Sequence, residues 1–416
     1  MKHSPRTTAL LLICYFILPA CDSHRSRQLS DNRNLSIPPI EYGPFPVASS
    51  NFSLITPTSD IEILFDAASK GRDLYIDKLL TRLEDSFTYT LQVPDQEALY
   101  GRTANKSIPY AGLIFYPTSD VNKNIDYHLP NGQLLPLMDS PNQPPTIPTN
   151  NKHPLLVLSH GLGAAPTDYF ELETAKFFAS HGYIVLAPFH GDERFPTMID
   201  SAENGIQQFT LRPLAIQQAI DKLLMRSQFS QYINHEQIGG LGVSFGGATV
   251  FALTGGRFSG WNDNALTKTA QDPRIKSAVG LSPFFGYQPT TPISGPSLPM
   301  FGADGQGGKH LKQPYMAISG TEDTIATWEA SYNVMSHAAQ NNNAYLIGLD
   351  GAEHFFNEDQ FKKSLSWALT FLNAHVLLKA EAIKTLAKLN SINGPAVDFV
   401  AIEPNTEKSP PGQASQ

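Results

Sequence analysis

Gly242-Val243-Ser244-Phe245-Gly246 spells G-x-S-x-G, a spacing that can place a serine hydroxyl on a tight turn. The apolar run Ile238-Gly239-Gly240-Leu241 precedes it and reads as a buried strand. Gly247-Ala248-Thr249-Val250-Phe251-Ala252-Leu253 follows and reads as the opening of a helix. A serine between such elements points out at the end of a sheet, and the flanking glycines let backbone pass close to the turn. The hydroxyl is a weak nucleophile at neutral pH, so it needs a base, and the base needs an orienting acid. His354 lies in Asp350-Gly351-Ala352-Glu353-His354-Phe355, after a short apolar strand and before a long helical pattern. That position is a loop at the carboxyl edge of a parallel sheet, where catalytic groups gather. Between Ser244 and His354, the strand Tyr315-Met316-Ala317-Ile318-Ser319 runs into Gly320-Thr321-Glu322-Asp323. Asp323 and Glu322 are both candidate orienters, and the G-x-x-D spacing favours Asp323. Ser159-His160-Gly161-Leu162-Gly163 follows another apolar strand. The N–H groups of Leu162 and Phe245 there are candidate donors to an oxyanion. His160 is an alternative base, though in this setting it reads better as a residue that shapes the loop.

The elements that must position these residues alternate between strand and helix. Apolar strands are predicted at 154–159, 183–188, 275–281, 315–319 and 344–349, with helices at 168–181, 213–225 and 361–378. This pattern predicts an α/β fold, with a mostly parallel central sheet and helices on both faces. The expected α/β domain spans residues 88–380. An irregular insertion at 118–152 reads as surface decoration, with a functional rim as the alternative, and residues 59–87 read as a helical extension in front of the domain. Residues 21–58, rich in Ser, Asn and Pro, read as a flexible tether. Residues 381–416 read as a C-terminal extension with a disordered tail.

The first residues read as a targeting segment. Lys2 and Arg6 flank an uncharged apolar stretch at 9–18, too short to span a bilayer. It ends in Leu18-Pro19-Ala20-Cys21, which resembles a lipobox. Residues 1–20 are then a lipoprotein signal peptide, and lipid on Cys21 is the expected link to a membrane, on an extracytoplasmic face. The chain has two cysteines, Cys14 and Cys21, both in this region, so the body offers no thiol for a disulfide, a metal or nucleophilic attack. The net charge of −8 argues against nucleic acid as a partner. Removal of Lys2 and Arg6 makes the body more acidic still. His190 with Asp192 and Glu193 is too local a cluster to close a metal site, so neither metal nor cofactor is expected.

Leu158-Ser159-His160-Gly161, His181-Gly182-Tyr183-Ile184-Val185 and Gly242-Val243-Ser244-Phe245-Gly246-Gly247 carry a resemblance. Over roughly residues 88–378 the chain resembles bacterial α/β-hydrolases related to platelet-activating-factor acetylhydrolase and to predicted dienelactone hydrolases. The resemblance implies an α/β-hydrolase fold and Ser-Asp-His chemistry, with Ser244 as nucleophile, Asp323 as orienter and His354 as base. Leu162 and Phe245 carry over as the oxyanion donors. Dienelactone hydrolases use Cys where Ser244 stands, so lactone specificity does not carry over; Val243 replaces the His common before the nucleophile. The expected function is cleavage of carboxylic esters, of short-acyl or phospholipid type, through an acyl-enzyme. A serine peptidase or amidase, and a non-catalytic binding protein, are the alternatives. Phe284 and Phe285 are candidates for an acyl pocket or for core.

Overall fold

A computed structural model describes residues 33–34, 37–50, 87–128, 132–139, 144–148, 151–190, 202–260, 263–268, 270–286, 300–302, 304–339, 344–387 and 398–402. The signal segment, Cys21 and the helical extension at 59–86 lie outside them, as do Asp192, Glu193 and residues 403–416.

In chain order the strands are β1 (Arg33–Asn34), β2 (Val47–Ser50), β3 (Phe87–Gln92), β4 (Ser107–Pro117), β5 (Tyr127–His128), β6 (Leu134–Leu135), β7 (His153–Ser159), β8 (Ile184–Pro188), β9 (Ile233–Val243), β10 (Phe258–Gly260), β11 (Asp263–Lys268), β12 (Ile275–Leu281), β13 (Tyr315–Gly320), β14 (Ala344–Leu349) and β15 (Asp398–Ile402). The α-helices are α1 (Glu97–Tyr100), α2 (Tyr169–Ser180), α3 (Ala202–Arg226), α4 (Phe245–Leu253), α5 (Trp328–Ala339), α6 (Glu358–His375) and α7 (Ala380–Ala387).

One large sheet holds the order β1-β15-β14-β13-β12-β9-β7-β8-β4-β2, with β3 also paired to β4. The six strands from β14 to β8 are parallel, and antiparallel strands close both edges. The continuous apolar runs follow from this architecture, because a parallel strand is covered on both faces. Along β7 the side chains alternate between two cores. Leu156 and Leu158 pack with Leu172 and Phe178 of α2 and with Trp367, Phe371 and Leu372 of α6. Leu155 and Val157 pack with Leu211, Ile216, Ile220 and Leu223 of α3. A third cluster joins α4 and α5 to the sheet through Phe251, Tyr315, Val334 and Met335. Burying each such side chain contributes about 1.5–3 kcal/mol.

Three expectations are corrected. Residues 37–50 belong to the fold and not to a tether: β2 pairs with β4, and Ala48, Ser49 and Ser50 are buried. The described part of the insertion at 118–152 packs inward, because Leu135 and Met138 are buried and the Tyr116 hydroxyl donates to Asp139 at 2.6 Å. In the C-terminal extension, β15 pairs antiparallel with β14 and Leu386 of α7 is buried. In each case the anchoring contact is a partner distant in sequence, which local pattern does not carry. Among the described residues no helix is long and apolar enough to cross a membrane.

Candidate active site

The chain runs from β7 to β8 on one side, then returns to place β9 on the other side of β7. The loops leaving β7 and β9 therefore meet where the strand order reverses, the crevice where open α/β sheets bind ligands. Ser159-His160-Gly161-Leu162 leaves β7, and Ser244 leaves β9. Ser244 has φ +52° and ψ −116°, a left-handed conformation that is costly for a residue with a side chain. Its N–H donates to the Leu281 carbonyl at 2.8 Å, and its carbonyl accepts from Phe284 at 2.9 Å and Gly247 at 2.9 Å. These bonds hold the turn. Glycine is required on either side of it: a Cβ on Gly242 would lie 2.1 Å from the Gly246 carbonyl, and one on Gly246 would lie 1.9 Å from the Ser159 oxygen.

The structure brings His354 and Asp323 to this serine. His354 Nε2 lies 3.1 Å from Ser244 Oγ, and His354 Nδ1 lies 2.8 Å from Asp323 Oδ2. The network assigns the tautomer, with Nδ1–H donating to the carboxylate and Nε2 accepting from the hydroxyl. The other Asp323 oxygen accepts from the N–H groups of Ile325 at 2.8 Å and Ala326 at 2.7 Å. Asp323 is buried, whereas Glu322 is exposed, so Asp323 is the acid that meets the histidine. The Glu322 N–H donates to the Ala352 carbonyl at 2.9 Å, tying the acid's loop to the histidine's loop. Three residues past His354, Asn357 opens α6 with a reciprocal capping box to Gln360, a device worth about 1 kcal/mol.

Gly161 packs against Ser244: a Cβ on Gly161 would lie 3.7 Å from the serine Cβ. Leu162 is the next residue, and its side chain is exposed. Phe245 is the first residue of α4, where backbone N–H groups have no acceptor inside the helix. The ring nitrogens of His160 are held by backbone groups: Nδ1 lies 2.8 Å from the Gly161 carbonyl, and Nε2 accepts from the His190 N–H at 3.2 Å. With both ring nitrogens engaged, His160 shapes the loop.

Phe285 is a correction to the acyl-pocket expectation. It is buried against Phe251, Phe301 and Tyr315, with ring centroids 5.0, 5.5 and 6.2 Å away. Phe284 is partly buried on the same cluster.

Arg212, Glu171 and Ser282, beneath the site, escaped the sequence reading, and His190 was read there only as part of a cluster too local for a metal. Arg212 of α3 is fully buried and donates through Nη1 to the His160 carbonyl at 2.7 Å and through Nη2 to the Gly161 carbonyl at 3.2 Å. Its guanidinium carbon lies 4.6 Å from the Phe245 ring centroid. Burial pushes its pKa down to about 9, so it stays charged at neutral pH. Glu171 of α2 accepts from the Gly161 N–H at 3.3 Å, and burial, with the nearby Asp168 carboxylate, lifts its pKa to about 7. His190, hydrogen-bonded to Ser159 Oγ at 2.9 Å, is held neutral, first by burial and then by Arg212 and His160. Ser282 donates to the His354 carbonyl at 3.1 Å from a left-handed backbone, φ +44°. The one available signal was position, since Ser282 directly follows β12. Among the described residues no group of three or more His, Cys, Asp or Glu could hold a metal ion.

A mostly parallel sheet flanked by helices, with a serine elbow at the strand-order reversal, defines the α/β-hydrolase fold. Residues 137–200 match the family model described as platelet-activating factor acetylhydrolase, isoform II. This segment holds β7, the His160-Gly161-Leu162 loop, α2 and β8. The match supports a hydrolase of the lipase and esterase type. No curated protein matches the chain.

Proposed function

We propose that the protein hydrolyses carboxylic esters through Ser244, His354 and Asp323, by way of an acyl-enzyme. The observation that carries this reading is the hydrogen-bonded line from Ser244 Oγ through His354 to Asp323 Oδ2. As Ser244 Oγ attacks the acyl carbonyl, its proton passes to His354 Nε2, and the Asp323 carboxylate stabilises the resulting imidazolium. The carbonyl oxygen becomes an oxyanion, held by the N–H groups of Leu162 and Phe245. His354 then gives the proton to the leaving alkoxide, and the alcohol departs. Water repeats the sequence on the acyl-enzyme, releasing the acid and restoring Ser244.

The substrate class is an ester with an apolar acyl group, short-chain or of phospholipid type. Leu162, Ile325 and Phe355 support this: they follow the loops of the oxyanion donor, the acid and the base, and all three side chains are exposed. The Phe355 ring lies 5.1 Å from the His354 ring. An apolar rim of this kind favours apolar over charged acyl groups. The lipobox-like Leu18-Pro19-Ala20-Cys21 supports an extracytoplasmic enzyme tethered by lipid on Cys21.

Ser244→Ala tests the chemistry. Turnover of a short p-nitrophenyl ester should fall by about 10⁶; near-native turnover in the purified variant removes the assignment. A panel of esters graded by acyl length, phospholipids included, reads the substrate class, and a preference for peptide substrates would reject an esterase. For the tether, Cys21→Ser should move the protein from the membrane pellet to the soluble fraction, and unchanged pelleting would refute it.

A further inference from the structure

We infer that Arg212 is a positioning residue for the oxyanion hole, acting through the Gly161–Leu162 peptide and the Phe245 ring. The inference rests on the ester-hydrolase reading, because it concerns the oxyanion of that reaction.

The carbonyl of Gly161 and the N–H of Leu162 belong to one planar peptide unit and point in opposite directions. Whatever fixes the carbonyl therefore aims the N–H. Three donors converge on that oxygen: His160 Nδ1 at 2.8 Å, Arg212 Nη2 at 3.2 Å and the Ala164 N–H at 3.3 Å, and of these Arg212 alone ties it to α3. Hydrogen bonds into a carbonyl also polarise the N–H of the same unit and make it a better donor. The preceding peptide is held too: its carbonyl, on His160, accepts from Arg212 Nη1 at 2.7 Å, and its N–H, on Gly161, donates to Glu171 at 3.3 Å. Two consecutive peptides thus sit between a cation on α3 and a carboxyl group on α2. The planar guanidinium fork reaches both carbonyls at once, which a point-like ammonium does with poorer geometry.

The same guanidinium lies 4.6 Å from the centroid of Phe245, the residue that carries the second donor. Phe209, one turn before Arg212 on α3, packs against that ring with centroids 4.3 Å apart and planes tilted by 38°. Helix α3 therefore sets both proposed donors. Because Arg212 is fully buried, water does not screen its charge, and the field favours negative charge developing on the carbonyl oxygen.

Arg212→Met, which keeps length and apolar packing, is compared with wild type on a matched ester and thionoester pair. Sulfur is larger and a poor hydrogen-bond acceptor, so the thiono substrate gains little from an oxyanion hole. Turnover of the ester should fall by about 10- to 100-fold, with KM changed less than about threefold. Turnover of the thionoester should fall far less, so the oxo-to-thiono ratio drops about tenfold. A merely structural role would lower both rates together; an unchanged ratio, or unchanged ester turnover, overturns the inference. If Arg212→Met does not fold, Arg212→Lys, which keeps charge and loses the fork, is read by the same ratio: an intermediate fall supports the inference and no fall overturns it. Ser244→Ala separates the two levels. If that variant keeps turnover, the esterase reading fails; if it loses turnover while the Arg212 ratio stays fixed, only the positioning role fails.

Discussion

Glu171→Gln should change how stability depends on pH, in a direction fixed by where the carboxyl group sits. Glu171 is buried in α2 beneath the His160-Gly161-Leu162 loop, and its pKa rises from an ordinary 4.5 to about 7. In the unfolded chain the group ionises near its ordinary value. Below pH 4.5 both states hold the proton, and the group costs nothing. Between pH 4.5 and 7 the folded state binds the proton that the unfolded state has released, so stability falls as pH rises. Above the folded pKa the loss is complete. A shift of this size, at about 1.4 kcal/mol per unit, amounts to about 3 kcal/mol. Glutamine keeps an oxygen for the Gly161 N–H and does not ionise, so the variant should lack this loss. Urea unfolding of both proteins from pH 4.5 to 8 measures it: wild type should lose about 3 kcal/mol relative to the variant across that window. Asp139, also lifted to about 7 by burial, contributes to both proteins and cancels in the difference. Parallel curves would refute the buried, protonatable state of Glu171.

Asp323→Asn should lower kcat by about 10⁴ by spoiling the His354 tautomer, whereas Glu322→Gln should leave it near wild type; steady-state ester hydrolysis compares them. Phe285→Ala should cost about 3–5 kcal/mol of stability by chemical denaturation and leave acyl-length preference unchanged, since Phe285 is core. A changed preference with native stability would return Phe285 to the substrate pocket.

The parts legible in the sequence were those whose signal is local. Ser244 stands between a strand pattern and a helix pattern, with glycines where backbone must pass within contact distance. His354 and Asp323 each follow an apolar strand, so chain order and strand ends were enough to bring them forward. Arg212 and Glu171 had no such signal. A charged residue on a helix normally marks the solvent face, and Arg212 meets its acceptors across 52 and 51 residues of chain. The same limit hid β2, whose Val47-Ala48-Ser49-Ser50 has small side chains and no apolar alternation, and which is fixed by its pairing with β4. The pair Phe284-Phe285 was undecidable locally because core and pocket both favour aromatic rings. Phe251, Phe301 and Tyr315 decide it for Phe285.

The buried charges also bear on why a loop can serve as an oxyanion site. Such a site needs donors fixed within a few tenths of an ångström, and loops are ordinarily the mobile part of a fold. Here the His160-Gly161-Leu162 loop leaves the sheet between two helical layers. Helix α2 belongs to the core cluster of Leu156 and Leu158, and α3 to that of Leu155 and Val157, so the helices lie on opposite faces of β7. Glu171 reaches the loop from one layer and Arg212 from the other. Each helix is fixed by its own apolar packing, and the loop between them inherits that rigidity through charged hydrogen bonds. The proposed donor on Leu162 is thereby anchored to both cores, while its side chain remains free at the rim to meet an acyl group.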